Sequence, residues 1–172
     1  MRSVYKILAG LVFCCMFLVG CQKQPQQVRF LNAPAEEDTV KMAQLKFNMY
    51  MASAADELCT AWVQADSLDY QSDDFGFWYA TLVDFESPLL VKGSREVMHL
   101  QMYELNGEQL ADVEDAFVVG ASALPLAVNN MLEKMGRGDA VQIVAPWYTA
   151  YGVEGTEYVK PYTNLIIKIE IQ

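Results

Sequence analysis

The residues best suited to chemistry lie in a loop near the C-terminus, where tyrosines, glycines and prolines cluster. The loop separates the apolar run Ala140–Ala145 from Leu165–Ile171, in which isoleucines alternate with charged residues. Alternation of β-branched residues with a period of two predicts a strand with one buried face. Because long loops held between strands commonly carry function, we take this strand–loop–strand unit as the candidate site. Within it, Trp147 and Tyr148 form either a lip for a ligand or a cap on the core.

Side chains that perform acid–base, nucleophilic or metal chemistry are scarce elsewhere. His99 is the only histidine, and a lone strand histidine is more often packed and hydrogen-bonded than catalytic. Three of the four cysteines lie in or next to an N-terminal leader, which leaves Cys59 and excludes both an internal disulfide and a Cys/His metal cluster. We interpret Cys59 as a small buried residue. The acidic segment Asp66–Gly76 lacks calcium-loop spacing, so we predict no metal and no cofactor.

The N-terminus resembles a bacterial lipoprotein leader. A basic start precedes the apolar run Ile7–Val19, and the run is followed by Gly20 and Cys21. We predict that residues 1–20 are a signal peptide, that Cys21 is lipidated, and that the polar segment 21–34 is a tether. The alternative is a plain signal peptide or a tail-less anchor, either of them with an incidental cysteine. The expected location is the bacterial cell envelope, anchored by lipid to the membrane on the periplasmic or outer-membrane face.

The charge balance argues against one class of partner. The formal net charge is −10 at pH 7, and loss of the leader, which holds two basic and no acidic residues, makes it more negative. Binding of nucleic acid requires clustered Lys and Arg. We therefore predict no nucleic-acid partner.

The segment of residues 35–66 predicts one long amphipathic helix, or two. Acidic residues suit its start, and apolar residues recur at spacings of three and four. These are Met42, Leu45, Met49, Ala52, Ala55, Leu58 and Trp62. The helix either docks on its own domain's sheet or pairs with a second subunit to form a homodimer, and one apolar stripe is compatible with both.

The segment of residues 75–172 predicts an α+β domain, an antiparallel sheet with a single short helix on one face. A loop over Asp66–Gly76 precedes it, and Asn106-Gly107 is a strong hairpin signal. The helix candidate is Leu124–Met135. The strand candidates are Phe75–Phe85, Glu96–Leu105, Ala116–Val119, Ala140–Ala145 and Leu165–Ile171.

The order and spacing of several motifs resemble the FK506-binding-protein (FKBP) type of peptidyl-prolyl cis–trans isomerase. The resemblance runs without a gap from Phe117 to Ile171 and extends more weakly upstream to about Phe77. It implies an FKBP-like fold. The motifs are Val97-Met98-His99-Leu100 with Asn106-Gly107, Phe117-Val118-Val119-Gly120, Ala150-Tyr151-Gly152 with Gly155, Val159-Lys160-Pro161, and the closing strand Leu165–Ile171.

The resemblance also implies an apolar pocket for a proline ring, with Tyr151 as the catalytic residue. The substrate-binding residues that it implies are Leu100, Leu110, Phe117, Leu124, Pro125, Val128, Val159 and Ile167. The pocket differs from the family pattern at seven positions, two of which are Leu124 and Pro125, where the family has a Val-Ile pair before its Trp. Here Val128 replaces the Trp floor, Ala111 an Asp, Leu100 a Tyr, Leu110 a Phe and Ile167 a Phe.

An isomerase of this type needs no acid, base or metal. Rotation about an X–Pro bond faces a barrier of about 18–20 kcal/mol, which an apolar pocket lowers by desolvating the amide and binding its twisted form. We therefore predict a weak isomerase that binds proline-containing polypeptides and assists the folding of exported proteins. The alternative is a catalytically inactive FKBP-like module that binds a peptide or protein at the cell envelope.

Overall fold

The computed structural model describes residues 36–121 and 123–172. The leader, Cys21 and the tether lie outside these residues. The contacts divide the chain into Met1–Thr39 and Val40–Gln172. Of the first unit, only the beginning of helix α1, Glu36–Ala65, is described, and the rest of this helix belongs to the second unit. Within the described part, no helix is both long enough and apolar enough to span a membrane.

The second unit contains a six-stranded antiparallel sheet and one short helix, which confirms the predicted α+β class. The strands are β1 (Gln71–Ser72), β2 (Trp78–Val83), β3 (Arg95–Glu104), β4 (Gln109–Val118), β5 (Ala140–Ala145) and β6 (Leu165–Ile171), and helix α2 is Leu126–Leu132. The spatial order of the strands is β1-β2-β5-β6-β3-β4. The long connection between β5 and β6 is the predicted candidate loop.

Several predicted boundaries are wrong. The short helix is Leu126–Leu132 rather than Leu124–Met135, and the strand predicted over Phe75–Phe85 is Trp78–Val83. Strand β4 has ten residues, whereas the sequence predicted only Ala116–Val119. Its missed part contains Asp112, Glu114 and Asp115, and acidic residues are depleted in strands. They are tolerated here because β4 is an edge strand, where charges discourage pairing with another chain. In addition, the short strand β1 lies within the segment predicted as a loop and pairs with β2.

Helix α2 packs on one face of the sheet, which we call the inner face. Alternate residues of β6 point toward it, and Ile167, Ile169 and Ile171 are all buried. On helix α2, Val128 and Leu132 are buried against the same core. Burial of each such side chain contributes about 1.5–3 kcal/mol. The closing strand is therefore a central element of the core, as its alternation predicts.

The C-terminal half of helix α1 lies over the opposite, outer face. Ala55 and Cys59 are buried, and Gln142 on the outer face of β5 donates to the Asp66 carboxylate just after the helix. The helix thus docks on its own domain. Its N-terminal half differs, because its large apolar residues are exposed. These are Val40, Met42, Leu45, Phe47, Met49 and Tyr50.

Candidate functional site

An open cavity of about 300 Å³ lies on the inner face, between strands β3 and β4 and the segment that leads to helix α2. Its lining is mainly apolar and contains one carboxylate. The lining residues are Met98, Leu100, Val113, Asp115, Ala116, Phe117, Ala123 and Leu124. The structure therefore brings together three of the residues implied by the family resemblance, Leu100, Phe117 and Leu124.

The pairing of β3 with β4 explains why these side chains meet. Met98 lies opposite Asp115, and Leu100 lies opposite Val113. Directly opposed residues of an antiparallel pair share a face, with Cβ atoms about 4.5–5.5 Å apart. Leu124 is held at the other side of the cavity, because Nδ2 of Asn129 on helix α2 donates a hydrogen bond to the Leu124 carbonyl at 2.9 Å.

Tyr151 lies further along the same face. Its hydroxyl contacts Sδ of Met102 at 3.4 Å, and Met102 lies opposite Ala111 on β4 and Ile167 on β6. Met102 is two residues beyond Leu100 on strand β3. Since one strand repeat spans about 7 Å, the Tyr151 group and the cavity occupy neighbouring positions on one face.

The Tyr151 hydroxyl is suited to donate a hydrogen bond. The side chain is half-buried, and burial raises the pKa of Tyr151 above its ordinary value, so the hydroxyl stays protonated at neutral pH. Its partner Met102 offers a thioether, which is a weak acceptor. A substrate carbonyl would be a stronger one.

The loop that carries Tyr151, residues 146–164, is called the loop wall. Backbone bonds within it run from Gly152 N to Trp147 O at 2.8 Å and from Tyr162 N to Gly152 O at 3.1 Å. Gly155 has φ +66°, and a Cβ there would lie 2.3 Å from the Val159 carbonyl oxygen. Only glycine fits this position, so the tight turn after Tyr151 depends on it.

Helix α1 anchors the loop wall from outside. Trp147 Nε1 donates to the Met51 carbonyl at 3.2 Å, and the Tyr148 hydroxyl donates to Asp56 Oδ1 at 2.5 Å. Trp147 is itself buried. Trp147 and Tyr148 therefore fasten the loop to the helix and cap the core, rather than form a lip for a ligand.

The facing side of the site, residues 109–121 and 123–125, is called the strand wall. Leu110 is the extra residue where the register of β4 shifts between Ala111 and Gln109, and it packs half-buried against the core. Its middle is open to solvent, since Val113 and Asp115 are exposed. Strand β4, the main part of the strand wall, pairs with a neighbouring strand on one side only, because it lies at the edge of the sheet.

Four of the implied substrate-binding residues lie in the core rather than along the cavity. Pro125, Val128, Val159 and Ile167 are all buried, and Val128 and Ile167 have no exposed surface. Core side chains fill the space around position 128, where the family has a Trp.

Five lining residues were not predicted from the sequence: Met98, Val113, Asp115, Ala116 and Ala123. The register of Tyr103 with Gln109, if continued along the strands, would pair Met98 with Glu114. The extra residue Leu110 shifts the register by one, so that Met98 pairs with Asp115 instead. Asp115 supplies a carboxylate at the cavity edge, although the family's acidic position is Ala111. Its Oδ1 accepts a hydrogen bond from the Ala116 backbone at 2.7 Å.

The two other reactive side chains lie outside the site. His99 is on the outer face, where Nε2 lies 2.7 Å from Asp112 Oδ1, and this hydrogen bond raises the pKa of His99. Cys59 is fully buried, and burial, with a smaller effect of Asp56, raises the pKa of its thiol to about 12. Over residues 36–121 and 123–172, no three His, Cys, Asp or Glu side chains are placed to hold a metal ion.

The sheet order, the single inner helix and the long β5–β6 loop define an FKBP-type fold. A peptidyl-prolyl cis–trans isomerase from Pseudomonas syringae pv. tomato superposes with a TM-score of 0.60 and 18% identity, over 72% of this chain and 92% of that one. FkpA from Escherichia coli superposes with a TM-score of 0.57 and 12% identity, over 80% of this chain and 71% of FkpA. AtFKBP13 superposes with a TM-score of 0.56 and 19% identity, over 60% of this chain and 96% of AtFKBP13. No family model and no curated protein matches the sequence.

Proposed function

We propose that this protein is a weak peptidyl-prolyl cis–trans isomerase that binds X–Pro segments of exported polypeptides. The observation that carries the proposal is the placement of the Tyr151 hydroxyl beside an apolar cavity on one face of an FKBP-type fold. The proline ring enters the cavity near Leu100 and Phe117. The Tyr151 hydroxyl donates to a carbonyl of the bound segment.

The proposed mechanism relies on desolvation and hydrogen bonding. Rotation removes amide resonance, and an apolar surrounding disfavours the planar, more polar ground state relative to the twisted form. Tyr151 keeps its proton at neutral pH because burial raises its pKa, so it stays a donor throughout the rotation. The protein's own side chains thus provide the whole proposed mechanism, which needs no transfer of a proton.

We expect weak proline binding because of the side chains that line the cavity. Its one aromatic residue is Phe117, which is 6% exposed and therefore offers little ring surface. A fully used aromatic side chain buries about 150–250 Å². Val113 and Leu124 offer less surface, so proline binding is expected to be weaker than in a pocket with a Trp floor.

A protease-coupled proline-isomerisation assay tests this proposal. We expect activity above background, and we expect Tyr151→Phe to lower kcat/KM about two- to tenfold, the range for one neutral hydrogen bond. Tyr158→Phe is the matched control, because Tyr158 is an exposed tyrosine of the same loop wall. Activity that stays at background, at concentrations where an ordinary FKBP saturates the assay, would reject the enzyme.

The second candidate is a binding module without catalysis. The buried Val128 and the openness of the strand wall favour it, because neither provides the tight enclosure that a twisted amide needs. This reading predicts saturable binding of a proline peptide with no isomerisation. Measuring binding and isomerisation on the same peptide separates the two candidates.

For location, we propose lipid anchoring at Cys21 in the cell envelope, supported by the leader pattern. Cys21→Ser should release the protein from the membrane fraction and abolish incorporation of labelled palmitate. Cys59→Ser is the matched control, because Cys59 is buried in the folded domain, and it should leave both unchanged. Membrane retention of the Cys21→Ser protein would contradict the anchor.

For assembly, we propose that a second copy of the chain covers the N-terminal half of helix α1. Met42, Leu45 and Met49 recur along this half, and each is at least 54% exposed. Large exposed apolar patches are rare on monomers, and a pair related by a twofold axis buries the same patch on both copies. Sedimentation equilibrium should give a dimer, and Leu45→Glu should give a monomer. A wild-type monomer would contradict the proposal.

A further inference from the structure

A second cavity, of about 310 Å³, lies on the outer face of the sheet beneath the end of helix α1. It is separate from the candidate site, because β5 and β6 present Gln142 and Lys168 outward but Ile143 and Ile167 to the core. The side chains that matter for its chemistry are Trp62, Asp66, Tyr103, Gln142, Ile166 and Lys168.

The first distinctive group is the Lys168 ammonium. It lies 5.5 Å from the centroid of the Tyr103 ring, and the side chain is half-buried. Among the residues that the structure describes, Lys168 forms no ion pair, whereas Lys134 and Arg137 do. A partly desolvated cation in a cavity wall without a carboxylate partner is a suitable place for an anion.

The second group is the Asp66 carboxylate, which is held in a fixed position. Its Oδ2 accepts from the Tyr70 hydroxyl at 2.7 Å and from Gln142 Nε2 at 3.3 Å. Gln142 is only 6% exposed, and it is the direct cross-strand partner of Lys168. The buried amide of Gln142 therefore lies between the Asp66 carboxylate and the Lys168 ammonium. The Cβ atoms of Gln142 and Lys168 are about 5 Å apart, as is usual for directly opposed strand residues.

Apolar surface completes the cavity. The Trp62 ring packs edge-on against Tyr70, with the centroids 6.2 Å apart. Ile166 lies opposite Tyr103 on the same face. An indole, a phenol ring and an aliphatic side chain thus surround the two charges, an arrangement suited to a ligand that is apolar on one side and charged on the other.

The geometry points to a binding site for a carboxylate that adjoins an apolar side chain, as in a free apolar amino acid or the C-terminal residue of a polypeptide. Lys168 binds the carboxylate. Trp62 and Ile166 contact the apolar side chain, and Asp66 accepts a hydrogen bond from the ligand nitrogen. The volume suits one or two residues, at the small end of ligand sites, which run from about 300 Å³.

The indole N–H signals of the full chain in NMR provide the test, with leucine, N-acetyl-leucine and leucinamide as probes. Leucine and N-acetyl-leucine should shift the Trp62 signal saturably, while leucinamide, which lacks the carboxylate, should not. Trp62→Phe identifies the signal. Tighter binding of leucine indicates a free amino acid, because Asp66 then binds its ammonium, and equal affinities indicate a chain terminus.

Variants at Lys168 test whether the Lys168 ammonium binds the carboxylate of the ligand. Lys168→Gln should weaken binding at least tenfold, equivalent to about 1.4 kcal/mol, and Lys168→Arg should largely restore it. Lys160→Gln, at an exposed lysine of the loop wall, should have no effect. Three results would overturn the site: no saturable shift up to about 10 mM, where a Kd of 1 mM is visible, an equal shift with leucinamide, or unchanged binding by Lys168→Gln.

Discussion

The two walls of the candidate pocket are built in different ways. The loop wall is bonded within itself and anchored to helix α1 through Trp147 and Tyr148. In the strand wall, β4 is an edge strand that pairs with β3 alone, and its middle is exposed. The loop wall also retains the family motif around Tyr151, while the strand wall departs from it at Leu110 and Ala111. The loop that carries the proposed polar donor is thus held on two sides, whereas the apolar surface proposed for proline is open to solvent.

The largest expected effect comes from breaking the loop wall at its tightest turn. Gly155→Ala places a Cβ 2.3 Å from a carbonyl oxygen at a positive φ, so we expect the free energy of unfolding to fall by about 2–4 kcal/mol. Gly107→Ala, at a positive φ with open space around it, should cost only about 1–2 kcal/mol. Urea denaturation measures both. Equal losses would show that the turn at Gly155 is not under steric constraint.

The next effect concerns the anchor between the loop wall and helix α1. Asp56→Ala removes the closer of the two acceptors of the Tyr148 hydroxyl, the other being the Gly76 carbonyl at 3.3 Å. Loss of this hydrogen bond should lower the free energy of unfolding by about 0.5–1.5 kcal/mol. The neighbouring Glu57 is exposed, so Glu57→Ala should change stability by less than about 0.5 kcal/mol. Thermal and urea unfolding provide the comparison. If the two variants behave alike, the loop wall does not depend on the helix.

An aromatic added to the strand wall should strengthen the binding of proline peptides. Val113 lines the cavity and is 48% exposed, so Val113→Phe has room, and we expect about two- to tenfold tighter binding from an added ring contact. Val97→Phe adds the same ring on the outer face and should leave binding unchanged. Position 128 is unsuitable, because Val128 is fully buried and a Trp there would overpack the core. Titration calorimetry would show the difference, and a gain from both variants would refute the location.

The smallest effect concerns the carboxylate at the cavity edge. Asp115→Asn should reduce the preference for a peptide with Lys next to Pro over one with Ala by about two- to threefold, since exposed ion pairs contribute about 0.2–1 kcal/mol. Glu114→Gln, on the outer face of the same strand, is the control. Competition binding with the two peptides measures the preference. An unchanged ratio would mean that Asp115 does not contact the ligand.

The same contrast explains what could be predicted from the sequence. The helix Glu36–Ala65 and the closing strand Leu165–Ile171 were predictable because their apolar periods are regular. Strand β4 was not, because acidic residues on an edge strand hide the period, and pairing with β3 overrides their low propensity. The bulge at Leu110 then moved Val113 and Asp115 into the cavity, a change of register that composition does not reveal.

The roles of Trp147 and Tyr148 also required the structure. Both residues follow strand β5 and Pro146. At such a place the sequence pattern is the same for a lip that contacts a ligand and for a cap on the core. Their partners, the Met51 carbonyl and Asp56, lie on a helix about ninety residues earlier in the chain. Such long-range hydrogen bonds have no local signal.

The central claim is that a proline-containing segment binds between the two walls on the inner face. NMR titration of the protein with a proline tetrapeptide tests it most directly. We predict saturable shifts at Leu100, Phe117 and Leu124 together with Tyr151, and none at His99 on the outer face. Shifts confined to the outer face, or no saturable shift at either wall, would contradict the account.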